Sequence, residues 1–213
     1  VAEQRGSYMM NAGFRMEQLI LAATQLGIGT CWMGGFYSKS TLAGSLQLDE
    51  DELPVAITPL GWPAQDAGSR LFQSAFHLFT PGRGRRRPLE EIAYLGEWGR
   101  LLASWEREQP ALYPILQAAL LAPSWANSQP ARYVVAGDEL VVAVARPAAQ
   151  RNLPYFLLDG GIAMSHISLT LREMGAPAAW DMDPHALGRR RQELRIPLDH
   201  ELLGRIALPS AMR

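Results

Sequence analysis

Apolar side chains recur at helical spacing between Asn11 and Leu26, and polar side chains fill the positions between them. A stripe with i, i+3, i+4 spacing predicts an amphipathic helix that buries one face. Asn11 is a residue type that caps helix starts, and Gly27 is typical of a helix end because glycine accepts a positive φ. The stripe consists of Met16, Leu19, Ile20, Ala23 and Leu26.

Similar patterns predict three more helices and a shorter one. Residues 89–105 and 112–121 read as helices, and residues 42–48 read as the shorter helix. A further helix is predicted from a cap at Asp159 to a glycine stop near Gly175. The helix at 112–121 carries its apolar residues on one face, which indicates that it packs against a core.

β-rich segments lie between these helices. Residues 132–136 and 140–145 flank Gly137-Asp138, and a turn dipeptide between two such runs predicts a β-hairpin. Residues 54–60 form a short apolar run, which predicts a strand closed by Gly61-Trp62-Pro63.

The stretch from Leu26 to Gly35 is unusually rich in glycine, at positions 27, 29, 34 and 35. One glycine is enough to end a helix, so the others indicate backbone that comes close to something flat or charged. A tight helix-to-strand loop packed beneath Trp32 is the alternative, and the spacing of the glycines alone favours it.

The chain matches itself without gaps at an offset of 148 residues. A match of helix ends, apolar stripe and aromatic positions indicates an internal duplication, with a period too long for a solenoid. The chain begins with Val1 inside what reads as the middle of the first copy, so we expect a segment upstream. The matched pairs include Gly13 with Gly161, Gly27 with Gly175, and Trp32 with Trp180.

Composition restricts the class of protein. The 213 residues suffice for one large domain or two packed halves, and 48% hydrophobic with 19% charged residues is typical of a globular protein. A net charge of −1 indicates no general attraction to nucleic acid or to a membrane surface. No apolar run reaches the roughly 18 residues of a membrane span, so a soluble cytoplasmic protein is expected. Cys31 is the single cysteine, which excludes an internal disulfide and argues against zinc.

Residues 64–88 are polar and rich in glycine and arginine, which is typical of a connector. We predict that residues 1–63 are the C-terminal part of repeat 1 and that residues 89–213 are repeat 2. An arginine run usually forms a solvated loop, but the forked guanidinium group also suits phosphate. The run that ends the connector consists of Arg85, Arg86 and Arg87.

No catalytic group or metal site is apparent from the side chains themselves. The histidines, which are His77, His166, His185 and His200, share no metal-ligand spacing. Neither a nucleophile motif nor a P-loop is present.

The segment 122–130 carries two prolines, which exclude a helix there and predict a loop. Its pattern Pro-Ser-x-x-Asn-x-Gln-Pro, at a helix end and ahead of a hairpin, resembles the flavin-binding loop of the nitroreductase family. Residues 26–35 resemble that family's second signature, and residues 61–63 resemble its Gly-aromatic-Pro close. The arginine run before Pro88 is similar to the segment that follows this Gly-aromatic-Pro close in the family. The duplication resembles a subgroup in which two repeats in one polypeptide imitate the usual homodimer.

This resemblance implies an α+β nitroreductase-like fold that binds FMN at the seam between two similar half-repeats. One repeat is expected to supply the glycine-rich loop and a phosphate-binding arginine, and the other the Pro-Ser-x-x-Asn loop. Core packing is the alternative role for Trp32, and loop capping is the alternative for Asn127 and Gln129. The residues expected to bind FMN are Gly29, Thr30, Cys31, Trp32, Met33, Gly34, Gly35, Arg85, Arg86, Pro123, Ser124, Asn127 and Gln129.

The sequence departs from the family pattern at three places. The family's N-terminal Arg-Ser-x-Arg segment has no counterpart, and Ala131 stands where an aromatic residue usually follows Gln-Pro. In the second copy Pro177 falls on Gly29, which removes a backbone N–H, and alanines replace Thr30 and Cys31. The second copy of the loop is therefore expected to be unfit for flavin.

The function implied is that of an FMN-dependent oxidoreductase. NAD(P)H would reduce the flavin, and a nitroaromatic, a quinone or a related acceptor would reoxidise it in a ping-pong cycle. The chain would be a monomer with pseudo-dimeric repeats or a homodimer. The alternative is a degenerate, flavin-free relative that serves as a binding or interaction module.

Overall fold

The computed structural model describes residues 2–35, 37–49, 52–63, 85–146 and 154–209, and the side chains of residues 2–7 are not part of this description. Its contacts divide the chain into two compact units, one of residues 1–16 with 82–213 and one of residues 17–81. The predicted connector falls largely outside the described residues, as does His77.

The smaller unit takes the C-terminal part of the first helix and a small sheet. α1 (Ala2–Gln25) is followed by β1 (Gly29–Thr30), which pairs antiparallel with β2 (Leu60–Gly61). Between them lies α2 (Lys39–Leu46), which begins where the Ser38 side chain accepts a hydrogen bond from the Thr41 N–H.

The larger unit is built on a mixed five-stranded sheet in the order β3-β4-β5-β7-β6. β3 and β4 are parallel, and the other neighbouring strands are antiparallel. The strands are β3 (Ala93–Leu95), β4 (Ala131–Ala136), β5 (Glu139–Ala145), β6 (Trp180–Asp181) and β7 (His200–Ala207).

Within the described residues, five α-helices accompany this sheet. They are α3 (Leu89–Ile92), α4 (Trp105–Glu108), α5 (Tyr113–Leu121), α6 (Tyr155–Glu173) and α7 (Pro184–Glu193). α6 is buried along most of its length and packs against α5 and the sheet. Because β4 and β5 are buried on nearly every residue, their sequences are almost continuously apolar.

Two glycines allow α1 and α6 to cross at backbone contact. A Cβ atom on Gly13 would lie 2.2 Å from the Leu158 carbonyl oxygen, and one on Gly161 would lie 2.0 Å from that of Met10. The contact is reciprocal, because Leu158 and Gly161 stand 148 residues after Met10 and Gly13. No side chain larger than hydrogen fits at either position without moving a backbone.

The local geometry of the helix ends also recurs at this offset. Gly27 and Gly175 follow their helices with φ of 73° and 74°. Gln47 and Arg195, again 148 residues apart, are both left-handed, with φ of 53° and 57°. Similar sequence thus produces similar local structure in both segments.

The structure confirms several predicted elements. The hairpin of β4 and β5 turns at Gly137-Asp138 as expected, and the helix predicted at 112–121 is α5. The helix stops near Gly27 and Gly175 are also confirmed.

Four element predictions were wrong. α1 begins at Ala2, so Asn11 is not its cap, and α6 begins at Tyr155, so Asp159 lies inside the helix. Residues 89–105 are not one helix, because β3 leaves the helical path to pair with β4, some 40 residues further along. Residues 54–60 contain only a bridge at Ile57 and the start of β2.

Among the described residues, no helix is long and apolar enough to span a bilayer.

Candidate functional site

The loop at 122–130 leaves the C-terminus of α5 and forms a single 3₁₀ turn at Trp125–Asn127 before β4. Ala126, Asn127 and Gln129 all have positive φ, of 51°, 53° and 47°. Non-glycine residues rarely adopt this conformation, and several in one loop occur where the surroundings impose it.

The backbone of the arginine run is hydrogen-bonded to this loop. The side-chain amides of Asn127 and Gln129 both donate to the Arg85 carbonyl oxygen, at 3.1 and 3.0 Å. The Gln129 Oε1 atom accepts from the Arg87 N–H at 2.8 Å. Two segments that the sequence predicts for the site therefore lie side by side.

Arg86 joins the two segments through its side chain. Its two terminal nitrogens donate to the carbonyl oxygens of Leu121 at 2.9 Å and Ala122 at 2.8 Å. These carbonyls end α5, where no further helical N–H is available to them. Burial lowers the pKa of the Arg86 guanidinium, which nevertheless stays charged in this setting. Arg86 thus caps α5, as a cation at a helix C-terminus is expected to do.

Arg85 and Arg87 present a different picture, since both are exposed. No carboxylate in the described part of the chain pairs with either of them. Arg87 also lies near Arg132, whose pKa is lowered first by burial and then by the Arg87 charge. Neighbouring cations without a counter-ion suit an anionic ligand.

A buried carboxyl group lies beneath the same loop. Asp159 is 3% exposed, and its Oδ1 atom accepts a hydrogen bond of 2.9 Å from the Trp125 N–H. Burial raises the pKa of Asp159 to about 7, and the Trp125 N–H opposes this effect only in part. The Ser124 hydroxyl accepts from the Gln129 N–H at 2.9 Å and so closes the loop from within.

The floor of the loop contains a cavity of about 20 Å³. Its polar lining comes from Ser124, Gln129, Tyr133 and Asp159. Tyr133 is fully buried, which raises the pKa of its phenol, and its hydroxyl donates to the Ala119 carbonyl oxygen at 3.2 Å. The apolar lining comes from Ile92, Ala119, Leu120, Ala122, Pro123, Pro130, Ala131 and Ala163.

The glycine-rich segment belongs to the smaller unit. A Cβ atom on Gly29 would lie 3.2 Å from the Gly61 carbonyl oxygen, which is tighter than most contacts of a Cβ atom, so close strand pairing favours glycine there. The Cys31 N–H donates to the Thr58 hydroxyl at 2.9 Å, and Thr30 pairs with Leu60.

Trp32 is held by a specific hydrogen bond. Its indole N–H donates to the buried carboxylate of Glu17 at 2.8 Å, which is consistent with the packing role considered for this side chain. Met33 bridges to Ile57, and both Gly34 and Gly35 are half-buried.

Comparison with known proteins assigns the family. A family model described as "Putative TM nitroreductase" matches residues 1–171, most of the chain. The chain belongs to this nitroreductase family. The family's α+β fold is supported by the crystal structure of a putative nitroreductase from Thermotoga maritima, with a TM-score of 0.50 and 26% identity. That likeness covers 79% of this chain and 58% of the other.

A second relative carries a more specific name. The chain is 30% identical over 81 residues to a "Putative NADH dehydrogenase/NAD(P)H nitroreductase" of Methanothermobacter thermautotrophicus. The match covers 37% of this chain and 39% of that relative. The chain therefore spans only part of the length of the nitroreductases that it matches.

In this chain the predicted site residues fall into two groups. Arg85, Arg86, Pro123, Ser124, Asn127 and Gln129 are brought together in the larger unit. Residues 29–35 lie in the smaller unit, and their meeting with the loop at 122–130 stays a prediction.

Sequence reasoning missed Asp159 and Tyr133 as neighbours of the loop. A signal was present for Asp159, which is an acid inside the apolar run Phe156-Leu157-Leu158 and Ile162. An acid within a buried helix face needs a specific partner, so its position marks a polar contact. No group of three or more potential metal ligands occurs among the described residues.

Proposed function

We propose that this chain is an FMN-dependent oxidoreductase of nitroreductase type. NAD(P)H would be its electron donor, and a nitroaromatic, a quinone or a related compound its acceptor. The observation that carries the proposal is the assembly of the arginine run with the strained loop at 122–130. The names of both relatives support the same reaction class.

The residues present fit a flavin phosphate. Arg85 and Arg87 offer exposed guanidinium groups beside the loop, and such groups bind phosphate through paired donors. Arg86 already donates to two carbonyl oxygens, so in this proposal it holds the loop while Arg85 and Arg87 meet the phosphate. The isoalloxazine ring, when bound, supplies the hydride chemistry.

The remaining predicted residues would position the ring rather than react. Pro123 and Ser124 lie where the loop leaves α5, and the Ser124 hydroxyl keeps the loop closed. The backbone of residues 29–35 can approach a ligand closely because three of its residues are glycines. In this proposal both segments serve one flavin.

We further propose that the chain consists of two half-repeats, one at 1–63 and one at 89–213, joined by the connector 64–88. The reciprocal crossing at Gly13 and Gly161 and the matched left-handed residues support this proposal. The boundaries of the two compact units differ from those of the two half-repeats. The units reflect contacts within the folded chain, whereas the repeats would reflect a common ancestor.

The second repeat would hold no flavin of its own. Where repeat 1 has the bridge between Met33 and Ile57, the matching pair Asp181 and Arg205 forms an ion pair of 2.7 Å. Pro177 stands at the position of Gly29 and has no N–H to donate.

The test is flavin binding by the purified protein. Adding FMN to the apo-protein should quench flavin fluorescence with saturation, and the complex should oxidise NADH or NADPH with a quinone or nitroaromatic acceptor. Replacing both Arg85 and Arg87 by alanine should weaken FMN binding by about tenfold or more, through loss of charge-assisted hydrogen bonds. The matched control is Arg107→Ala, an exposed arginine on α4.

The alternative is a flavin-free binding module. One observation favours it: the amides of Asn127 and Gln129 already bond to the arginine run. A protein that stays colourless and leaves FMN fluorescence unchanged at millimolar protein would establish the alternative and end the flavin proposal.

A further inference from the structure

Asp159 is placed where an apolar residue would be expected. It lies in the fifth position of α6, between buried neighbours, and one residue before Gly160, whose Cβ would collide with Leu203. A carboxyl group in such surroundings costs free energy unless its oxygens are hydrogen-bonded. The helix does not use the group as a cap, because α6 begins four residues earlier.

The two oxygens of Asp159 have different environments. Oδ1 accepts the Trp125 N–H at 2.9 Å, at the first residue of the 3₁₀ turn. Oδ2 is buried and has no hydrogen-bond partner among the described residues. Asp159 lines the cavity of about 20 Å³, which is large enough for one water molecule but not for a flavin ring.

We propose that Asp159 is a positioning residue, which fixes the loop at 122–130 through the Trp125 N–H and so shapes the surface that receives the ligand. The loop needs such a hold because Ala126 and Asn127, directly after Trp125, both keep positive φ. The consequence for ligand affinity rests on the proposed function, and the hold on the loop does not.

The carboxyl group has few charged neighbours. The cavity lining adds only Tyr133 as a second titratable side chain, within the part of the chain that the structure describes. The charges of Arg132 and Arg86 act on Tyr133. The Arg86 guanidinium donates to the carbonyl oxygens of Leu121 and Ala122. The cavity lining from α5 is apolar, namely Ala119 and Leu120. A change of pH near neutrality therefore acts here mainly through Asp159, whose pKa burial raises to about 7.

The test compares Asp159→Leu, Asp159→Asn and the control Ser165→Ala. Leucine removes the acceptor of the Trp125 N–H, whereas asparagine keeps a carbonyl oxygen there. Ser165 is buried in the same helix and its hydroxyl also has no partner among the described residues, but it does not line the cavity. All three variants are first compared by circular dichroism and thermal unfolding. If Asp159→Leu does not fold, Asp159→Asn still tests the proposal through its pH profile.

The primary measurement needs no flavin. In labelled protein, the protection factor of the Trp125 amide against hydrogen exchange should fall about tenfold in Asp159→Leu. In the other two variants it should stay within about twofold of the parent. The protection factor of the parent should also change as Asp159 titrates, because the charged and the neutral carboxyl group differ as acceptors and in the cost of their burial, and Asp159→Asn should lack this dependence.

The second measurement is FMN affinity. We expect a loss of about tenfold or more in Asp159→Leu, and affinity within about threefold of the parent in Asp159→Asn and Ser165→Ala. Unchanged protection at Trp125 in Asp159→Leu would overturn the proposal, as would reduced protection with unchanged FMN affinity. If the parent binds no FMN, the proposed function fails, and the exchange data alone decide the role of Asp159.

Discussion

Arg86 is a side chain that the sequence predicts for FMN binding and that the structure engages with the protein itself. The sequence places it in an arginine run suited to phosphate, and the structure uses it to end a helix. Its partners lie 35 and 36 residues further along the chain, so no local pattern could have indicated them. Arg85 and Arg87, by contrast, are exposed, and their binding of a phosphate stays a prediction.

The first prediction separates these arginines by stability. Arg86→Ala should lower the free energy of unfolding by about 1–3 kcal/mol, because two carbonyl oxygens lose charged donors. Arg86→Lys should recover little of it, since an ammonium group cannot reproduce the fork. Arg85→Ala and Arg87→Ala should stay within about 0.5 kcal/mol of the parent. Urea unfolding of the four variants measures these free energies. Equal losses in all four would contradict the role of Arg86 as a cap of α5.

The second prediction follows from the raised pKa of Asp159, which is about 7 in the folded chain against an ordinary value of 3.8. The folded state binds this proton more tightly than the unfolded state, so the group's contribution to stability is fully present below pH 4 and is lost as pH rises through 7. The loss is of the order of 4 kcal/mol at most.

The free energy of unfolding, measured by urea at several pH values between 4 and 8, should therefore rise with pH less steeply in the parent than in Asp159→Asn. The neutral amide cannot ionise, so the free energy of unfolding of this variant relative to that of the parent should be higher at pH 8 than at pH 4. Glu106→Gln, at an exposed acid on α4, is the control and should follow the parent. A constant difference between parent and Asp159→Asn across this range would show that the carboxyl group does not titrate abnormally.

Among the elements, the crossing of α1 and α6 sets the strictest steric condition. The third prediction is that Gly13→Ala and Gly161→Ala each destabilise the fold by about 2 kcal/mol or more. The added methyl group would meet a backbone carbonyl oxygen at 2.2 or 2.0 Å, and a backbone cannot move aside as a flexible side chain can.

The matched control is Gly188→Ala on α7. A Cβ atom there meets nothing within 4 Å, so alanine should stabilise the helix by roughly 0.5–1 kcal/mol. Thermal unfolding of the three variants reports the contrast directly. Tolerance of alanine at Gly13 would mean that the two helices cross further apart than described.

The elements that could be predicted from sequence are those fixed by local chemistry. The hairpin at Gly137-Asp138 and the helix α5 follow from turn residues and from apolar spacing. β3 could not be predicted, because only its parallel pairing with β4 distinguishes it from the helical pattern around it. Asp159 was misassigned as a cap for a similar reason, since its partner Trp125 lies 34 residues earlier.

At the scale of the whole molecule, the family and its fold were predictable because the motifs stand in a fixed order along the chain. The resemblance rested on residues 26–35, 61–63 and 122–130, and the family model spans all three.

The fourth prediction is that one chain binds at most one FMN. The second repeat has Pro177 in place of Gly29 and the ion pair of Asp181 with Arg205 in place of an apolar bridge. Titration of apo-protein with FMN, followed by fluorescence quenching and checked by absorbance of the isolated complex, gives the stoichiometry. Two equal sites per chain would contradict both the asymmetry and the site assignment.

The way in which the loop at 122–130 is anchored also bears on the order in which the chain assembles. Its hydrogen bonds reach back 42 and 44 residues to Arg85 and forward 34 residues to Asp159. Contacts of such long separation along the chain are costly to close and tend to form late. α5 and the hairpin that flank the loop are local and can form first. The loop should therefore acquire its shape only in the last steps of folding, and a nascent or partly folded chain would have nothing ready to receive a ligand.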